Sequence, residues 1–242
     1  MNLVSAGLSD RGRVRPRNED ALLLRPERGL FAVADGMGGH VGGDIASRVA
    51  VDVLDELGPD GLDAEQLRSI FLAAHGAILR AVSADPTLSG MGTTMTALRV
   101  RPENDGCLII HTGDSRAYRF RDPQLHQLTR DHTWVQDQVD AGLLQPEQAR
   151  AHPYSSVLTS ALGIVNGEPE IQVVDVPCDA GDTILLCTDG LTAGLADQDI
   201  ARLLSREPDM DAAARALIAA ANDAGGSDNI TVALVRLLAS GQ

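Results

Sequence analysis

Four groups of acidic and small residues stand at the ends of apolar runs: Asn18-Glu19-Asp20, Asp35-Gly36, Asp189-Gly190 and Gly225-Gly226-Ser227-Asp228-Asn229. A carboxylate at a strand end is fixed in direction, and a neighbouring glycine leaves room for an ion or its water. Asp-Gly is also the commonest turn dipeptide, so a hairpin accounts for any one pair. Four groups from distant parts of the chain resist that reading together. Carboxylates brought to one place repel one another unless cations sit between them. Oxygen-only ligands select a hard ion, magnesium or manganese, over zinc or copper.

The second group opens a loop with five glycines in the eight positions 36–43. Glycines clustered after a strand let backbone approach something closely, and a phosphate cradle is the familiar case. A dinucleotide fingerprint fails in detail, because counting from Gly36 its third glycine would fall on Val41. The chain contains no lysine, which excludes Schiff-base chemistry and a Walker phosphate loop. Any phosphate clamp must then be arginine, whose planar fork grips phosphate oxygens in pairs. His111, Asp114 and Ser115 do not make a hydrolase triad, since on a strand rising ~3.3 Å per residue they lie in a line. His75, His126 and His152 show no paired metal spacing and are read as structural or surface residues.

A formal net charge of −14 argues against a nucleic-acid or anionic-membrane surface. No run approaches the ~18 apolar residues of a spanning helix, and the N-terminus lacks the apolar core of a signal peptide. The expectation is a soluble, cytoplasmic protein. Cys107, Cys178 and Cys187 are scattered through apolar runs and are expected as buried reduced thiols rather than disulfides or zinc ligands.

The elements that must position these groups come in blocks. Short apolar or alternating runs bounded by turn residues predict strands over 3–9, 21–25 and 30–35. Apolar spacing of three and four predicts helices over 45–58 and 64–82, separated by Gly58-Pro59. Strands return over 92–100, 106–114, 116–121 and 124–129. The polar segment 131–163, broken by Pro146 and Pro153, reads as two small helices and a loop lying over the domain. Strands over 170–176 and 181–189, helices near 197–205 and 209–223, and a last strand over 229–238 complete the chain. Strand runs alternating with helix pairs indicate antiparallel sheets covered by helices, one α+β domain over 1–242.

Taken in order, Arg15-Pro-Arg-Asn-Glu-Asp20, Val33-Ala-Asp-Gly-Met-Gly-Gly-His40, Gly92-Thr-Thr94, Gly113-Asp-Ser-Arg-Ala-Tyr118, Thr188-Asp-Gly190 and Asp228-Asn-Ile-Thr231 resemble the bacterial branch of the metal-dependent protein phosphatases, the type 2C or PPM family. The resemblance runs from about residue 5 to residue 237. It implies two antiparallel β-sheets packed as a central sandwich flanked by helices (α-β-β-α), with 131–163 as a flap. It also implies two tight manganese or magnesium ions, a possible third weaker ion, and hydrolysis of phosphoserine and phosphothreonine by a metal-activated water.

Carried over residue by residue, the resemblance makes Asp35 the bridge between two ions. The Gly36 carbonyl then serves one ion, Asp189 and Asp228 serve the other, and Glu19 and Asp20 complete the shell. Arg15 is the expected phosphate clamp, Asp114 the ligand of a third ion, and Ser156 the flap serine beside it. Met37 stands where eukaryotic relatives carry a histidine, so His40 either protonates the leaving oxygen or braces the loop. Ser160 replaces the family's arginine before Ala-Leu-Gly. Phosphorylated proteins, substrates of a serine/threonine kinase, are the expected partners of a monomer. Two rival functions are a phosphohydrolase of a small phosphate ester and a non-catalytic phospho-signalling module; the intact acidic set argues against the second.

Overall fold

Strands buried on both faces need nearly continuous apolar sequence, and LFAVADGM, TILLC and ITVALVRL supply it. The computed structural model describes residues 3–38, 42–58, 63–101, 106–164 and 167–239. The first half contains β1 (Leu3–Asp10), β2 (Asp20–Arg25), β3 (Leu30–Met37), α1 (Gly43–Leu57) and α2 (Ala64–Ala84). Next come β4 (Gly92–Thr93), β5 (Met95–Val100), β6 (Cys107–Thr112), β7 (Arg116–Arg121) and β8 (Gln124–Gln127). The flap carries α3 (Trp134–Asp140) and α4 (Pro146–Arg150). Then follow β9 (Gln172–Val176), β10 (Thr183–Cys187), α5 (Asp189–Gly194), α6 (Asp197–Arg206), α7 (Met210–Asp223) and β11 (Ile230–Leu237).

One sheet runs β1-β11-β10-β7-β8 and the other β2-β3-β5-β6-β9, with β4 joined to β3. Every pairing is antiparallel. Alternation along each strand divides its side chains between two layers. Phe31 and Val33 of β3 meet Ile184 and Leu186 of β10 and Ala233 and Val235 of β11 between the sheets. Leu30, Ala32 and Ala34 face the other way, onto Ala46, Ala50 and Leu54 of α1 and Phe71, Ala74 and Ile78 of α2. Leu185, Val232 and Leu234 do the same against Leu217 and Ile218 of α7. Each large side chain so buried contributes ~1.5–3 kcal/mol, so both helical layers are held by the sheets they cover. The expected α-β-β-α sandwich is the observed one.

Among the described residues α2 has the length and apolar content of a spanning helix, and here its Leu67, Ile70, Phe71, Ala74 and Ile78 are buried in the core. Its start is set by Asp63, which accepts from the Gln66 N–H while the Gln66 side chain reaches back to the Asp63 N–H. Two expected elements differ. The strand over 92–100 is interrupted at Thr94, whose N–H and hydroxyl are turned toward the Asp35 backbone. The strand over 181–189 stops at Cys187, and Asp189 opens α5 instead of a turn.

Candidate metal centre

Antiparallel order brings the start of β2, the end of β3, the β6–β7 connection, the end of β10 and the start of β11 to one end of the sandwich. A pocket of about 600 Å³ opens there, lined by Arg15, Glu19, Asp35, Gly36, Asp114, Asp189 and Asp228 together with the flap residues Ser156 and Ser160. Asp20 lies behind this lining, directly opposite Asp35 in the β2–β3 register. Every expected ligand therefore converges on one place, and His40 lies outside the described residues. Among the described residues no histidine lines the pocket.

Each carboxylate has its own support. Asp20 Oδ2 accepts from the hydroxyls of Thr188 (2.9 Å) and Thr231 (2.6 Å), so this residue of one sheet is held by the ends of the other. Asp35 is fixed through its backbone: its N–H donates to Thr94 Oγ1 at 3.0 Å, and its carbonyl accepts from the Thr94 N–H and the Thr93 hydroxyl, both at 2.9 Å. Gly113, at φ 104°, makes the turn that presents Asp114, a conformation L side chains rarely adopt. The Gly113 N–H donates to His132 Nδ1 at 3.1 Å, and its carbonyl accepts from the His132 N–H at 2.7 Å, which ties this turn to the base of the flap.

Gly36 answers what the glycine-rich loop accommodates. A Cβ there would stand 2.1 Å from the Gly43 carbonyl oxygen and 2.5 Å from that of Glu19. The loop thus lets the first turn of α1 close onto the backbone beside Asp35, and no side chain fits between.

The electrostatics are those of a site built for cations. Burial pushes the Asp35 carboxyl well above its usual range, and Asp20, Asp189, Asp114 and Asp228 push it further. Burial likewise raises Asp20, to about 7, against the opposing hydrogen bonds from Thr231 and Thr188. Asp114 is raised by burial and then by Asp189 and Asp131, Asp189 by burial and then by Asp228, and Glu19 by burial. Asp20 Oδ1 and Asp189 Oδ1 are buried with no hydrogen-bond partner. Such oxygens are costly unless something positive meets them.

As they stand, no three of these side chains close on one point as a finished ligand group among the described residues. Asp228 is instead paired with Arg15 at 2.6 Å. The donor set nevertheless fits hard divalent ions, which take carboxylate and carbonyl oxygens and keep several waters. Orphaned oxygens, like charges set face to face and acidic donors that offer only oxygen agree on that.

Several supporting residues escape a reading that looks for charge. Asn229, only 5% exposed, accepts from the Glu19 N–H through Oδ1 and donates through Nδ2 to the Arg11 and Arg17 carbonyls, all at 2.9 Å. It pins the loop carrying Arg15 and Glu19 beside Asp228. Thr93, Thr94, Thr188 and Thr231 lie within motifs visible in the sequence, but a neutral hydroxyl there carries no signal of its own. Ser160 Oγ accepts from the Glu170 N–H at 2.8 Å and so ties one wall of the pocket. His111 is buried among Thr96 and the Arg130 carbonyl, with its pKa pushed down by burial to about 3, and Ser115 bonds Thr94. No triad forms. A second cavity, about 470 Å³, lies under the flap and shares Asp114, Ser156 and Asp189 with the first.

Residues 11–235 match the family model described as protein phosphatase 2C. The serine/threonine protein phosphatase PstP of Mycobacterium tuberculosis is 40% identical over 230 residues, which are 94% of this chain and 43% of that protein. This chain thus spans less than half of that relative's length. The serine/threonine phosphatase stp of Listeria monocytogenes is 36% identical over 237 residues, 94% of this chain and 93% of that one. The solved catalytic domain of PstP in complex with two manganese ions superposes with a TM-score of 0.86 at 37% identity, covering 98% of this chain and 99% of that one.

Proposed function

Because the chain belongs to the protein phosphatase 2C family, we propose that it hydrolyses phosphoserine and phosphothreonine in proteins at a centre of two divalent cations, manganese or magnesium. The observation that carries this reading is Asp35 in the lining of a pocket that Asp189, Asp228 and Asp114 also border, with Asp20 directly opposite it in the β2–β3 register behind that lining. Asp35, the Gly36 carbonyl, Asp189 and Asp228 hold the two ions, with Glu19 and Asp20 behind them. Asp114 serves a weaker third. When bound, such ions lower the pKa of a water and neutralise charge that develops on the phosphoryl group.

The chain's own residues supply the geometry. Thr188 and Thr231 keep Asp20 turned toward the site, and Thr93 and Thr94 keep the Asp35 backbone in place. Arg15, half-exposed at the rim and now spanning to Asp228, turns its guanidinium fork to the phosphoryl oxygens when a dianion enters. Asn229 holds the loop from which it reaches. Phosphate-monoester hydrolysis is among the slowest uncatalysed reactions, with enzymatic accelerations of up to ~10²¹, so stabilisation of charge at fixed positions is the main requirement. The partners are phosphoproteins made by a serine/threonine kinase, and the protein acts as a monomer without nucleic acid or membrane.

Phosphate release from a phosphothreonine protein and from an aryl phosphate, with manganese and after chelation, tests the reading. Manganese-dependent release from the phosphoprotein is expected. Release only from small esters would replace the protein substrate, and no release from either would leave a non-catalytic module.

A further inference from the structure

Two thiols stand apart from this machinery. Cys107 opens β6 and points into the layer between the sheets, while Cys178 follows β9 where the chain crosses from one sheet to the other. The register pairs Cys107 with Val176, so Cys178 comes two residues beyond that partner. Their Sγ atoms lie 3.1 Å apart. A shift of about 1 Å brings them to the ~2.05 Å of a disulfide. Both are free, Cys107 without exposure and Cys178 partly open to solvent. Cys187 is buried in the other, helix-covered core.

We infer that Cys107 and Cys178 are a peroxide-reactive pair that closes to a reversible disulfide, stapling the β9–β10 crossover to β6. The accessible sulfur is also the better nucleophile. Contact with Cys107 holds the Cys178 thiol below its usual range, with Arg119 and Arg121 acting the same way against burial and Asp182. The same contact, then burial, pushes Cys107 up, so the inner sulfur keeps its proton. Arg119 is brought there by its hydrogen bond to the Pro177 carbonyl at 3.1 Å.

The step balances with hydrogen peroxide as oxidant. The Cys178 thiolate attacks one peroxide oxygen, the O–O bond breaks, hydroxide leaves and a sulfenic acid remains. The Cys107 sulfur then attacks the Cys178 sulfur, the S–O bond breaks, and water leaves with the Cys107 proton. Two thiols lose two electrons and one peroxide gains them. The pair sits at the end of β6 remote from the Asp114 turn, since Cys107 and Thr112 at the two ends of that strand are five residue steps of ~3.4 Å apart, so the pocket is not distorted.

The test treats the full chain with hydrogen peroxide and reads intact mass after thiol alkylation without reductant. Two of the three thiols should become unreactive, with a loss of two hydrogens and a mapped Cys107–Cys178 link that dithiothreitol reverses. The melting temperature should rise by roughly 5–15 °C, because the link closes a long loop in the unfolded chain. Manganese-supported phosphate release should stay within about twofold. Cys178→Ser should remove the protection, and Cys107→Ala should leave a sulfenic acid on Cys178 that dimedone traps. Linkage through Cys187, crosslinks only between molecules, or oxidation of Cys178 to the sulfinic acid with Cys107 still free would each overturn the inference. Because these readings need no phosphatase assay, they stand or fall separately from the proposed activity.

Discussion

Asp20 and Asp35 occupy directly opposed positions across β2 and β3, an arrangement that destabilises a sheet when both are charged. Unfolded aspartates titrate near ~3.9, whereas burial raises Asp20 to about 7 and Asp35 well above its usual value. Through that interval the folded protein holds protons the unfolded chain has released, so this contribution to stability falls as pH rises. The melting temperature of the chelated protein should accordingly drop between pH 5 and pH 8, and saturating manganese at pH 8 should restore it. Asp35→Asn should flatten that slope in calorimetry while abolishing turnover. Arg15→Ala should act differently, lowering kcat/KM for phosphoproteins by about 10–100-fold. Titration calorimetry should find its manganese affinity undiminished, because the Arg15–Asp228 pair competes with a cation for the same carboxylate. The acids were legible in the sequence because four such groups, from distant parts of the chain, all stand at the ends of apolar runs. Their holders Thr188, Thr231 and Asn229 were not, because a hydroxyl or amide declares its role only through a partner some 40 to 210 residues away.

Most elements were readable for a physical reason: strands buried on both faces are apolar throughout, and the covering helices repeat at three and four. The reading failed where a strand end meets the site. Thr94 leaves the ladder to bond Asp35, and Asp189 turns into the first residue of α5, so local pattern yields there to the geometry of the pocket. The approach of α1 to β3 was equally hidden, although the glycines that permit it were plain. Gly36→Ala should force the start of α1 away from Glu19 and lower the melting temperature by several degrees, since an added Cβ would meet the Gly43 carbonyl oxygen at 2.1 Å. Over the flap, Asp114→Asn should keep the two tight ions and lose most activity on phosphoproteins. Ser156→Ala, which borders both cavities, should change the ranking in a phosphopeptide panel more than the manganese content.

Across the whole molecule, two sheets share one inner core and each has its own helical cover. That stacking makes Glu19 and Asp228, more than 200 residues apart in the chain, line one pocket. Periodicity alone shows which faces are apolar, not which strand ends coincide, and it was the ordered set of motifs that carried the sandwich and the site. The net charge of −14 would repel a phosphoprotein from the surface, so the proposed reaction requires binding to depend on cations in the pocket rather than on a basic face. The most direct test counts manganese ions by equilibrium binding and follows phosphate release from one phosphothreonine protein, for the wild type and Asp35→Asn in parallel. The account predicts two tight ions and manganese-dependent turnover in the wild type, with fewer ions and no turnover in the variant. Near-wild-type turnover by Asp35→Asn, or undiminished wild-type activity after complete chelation, would contradict it.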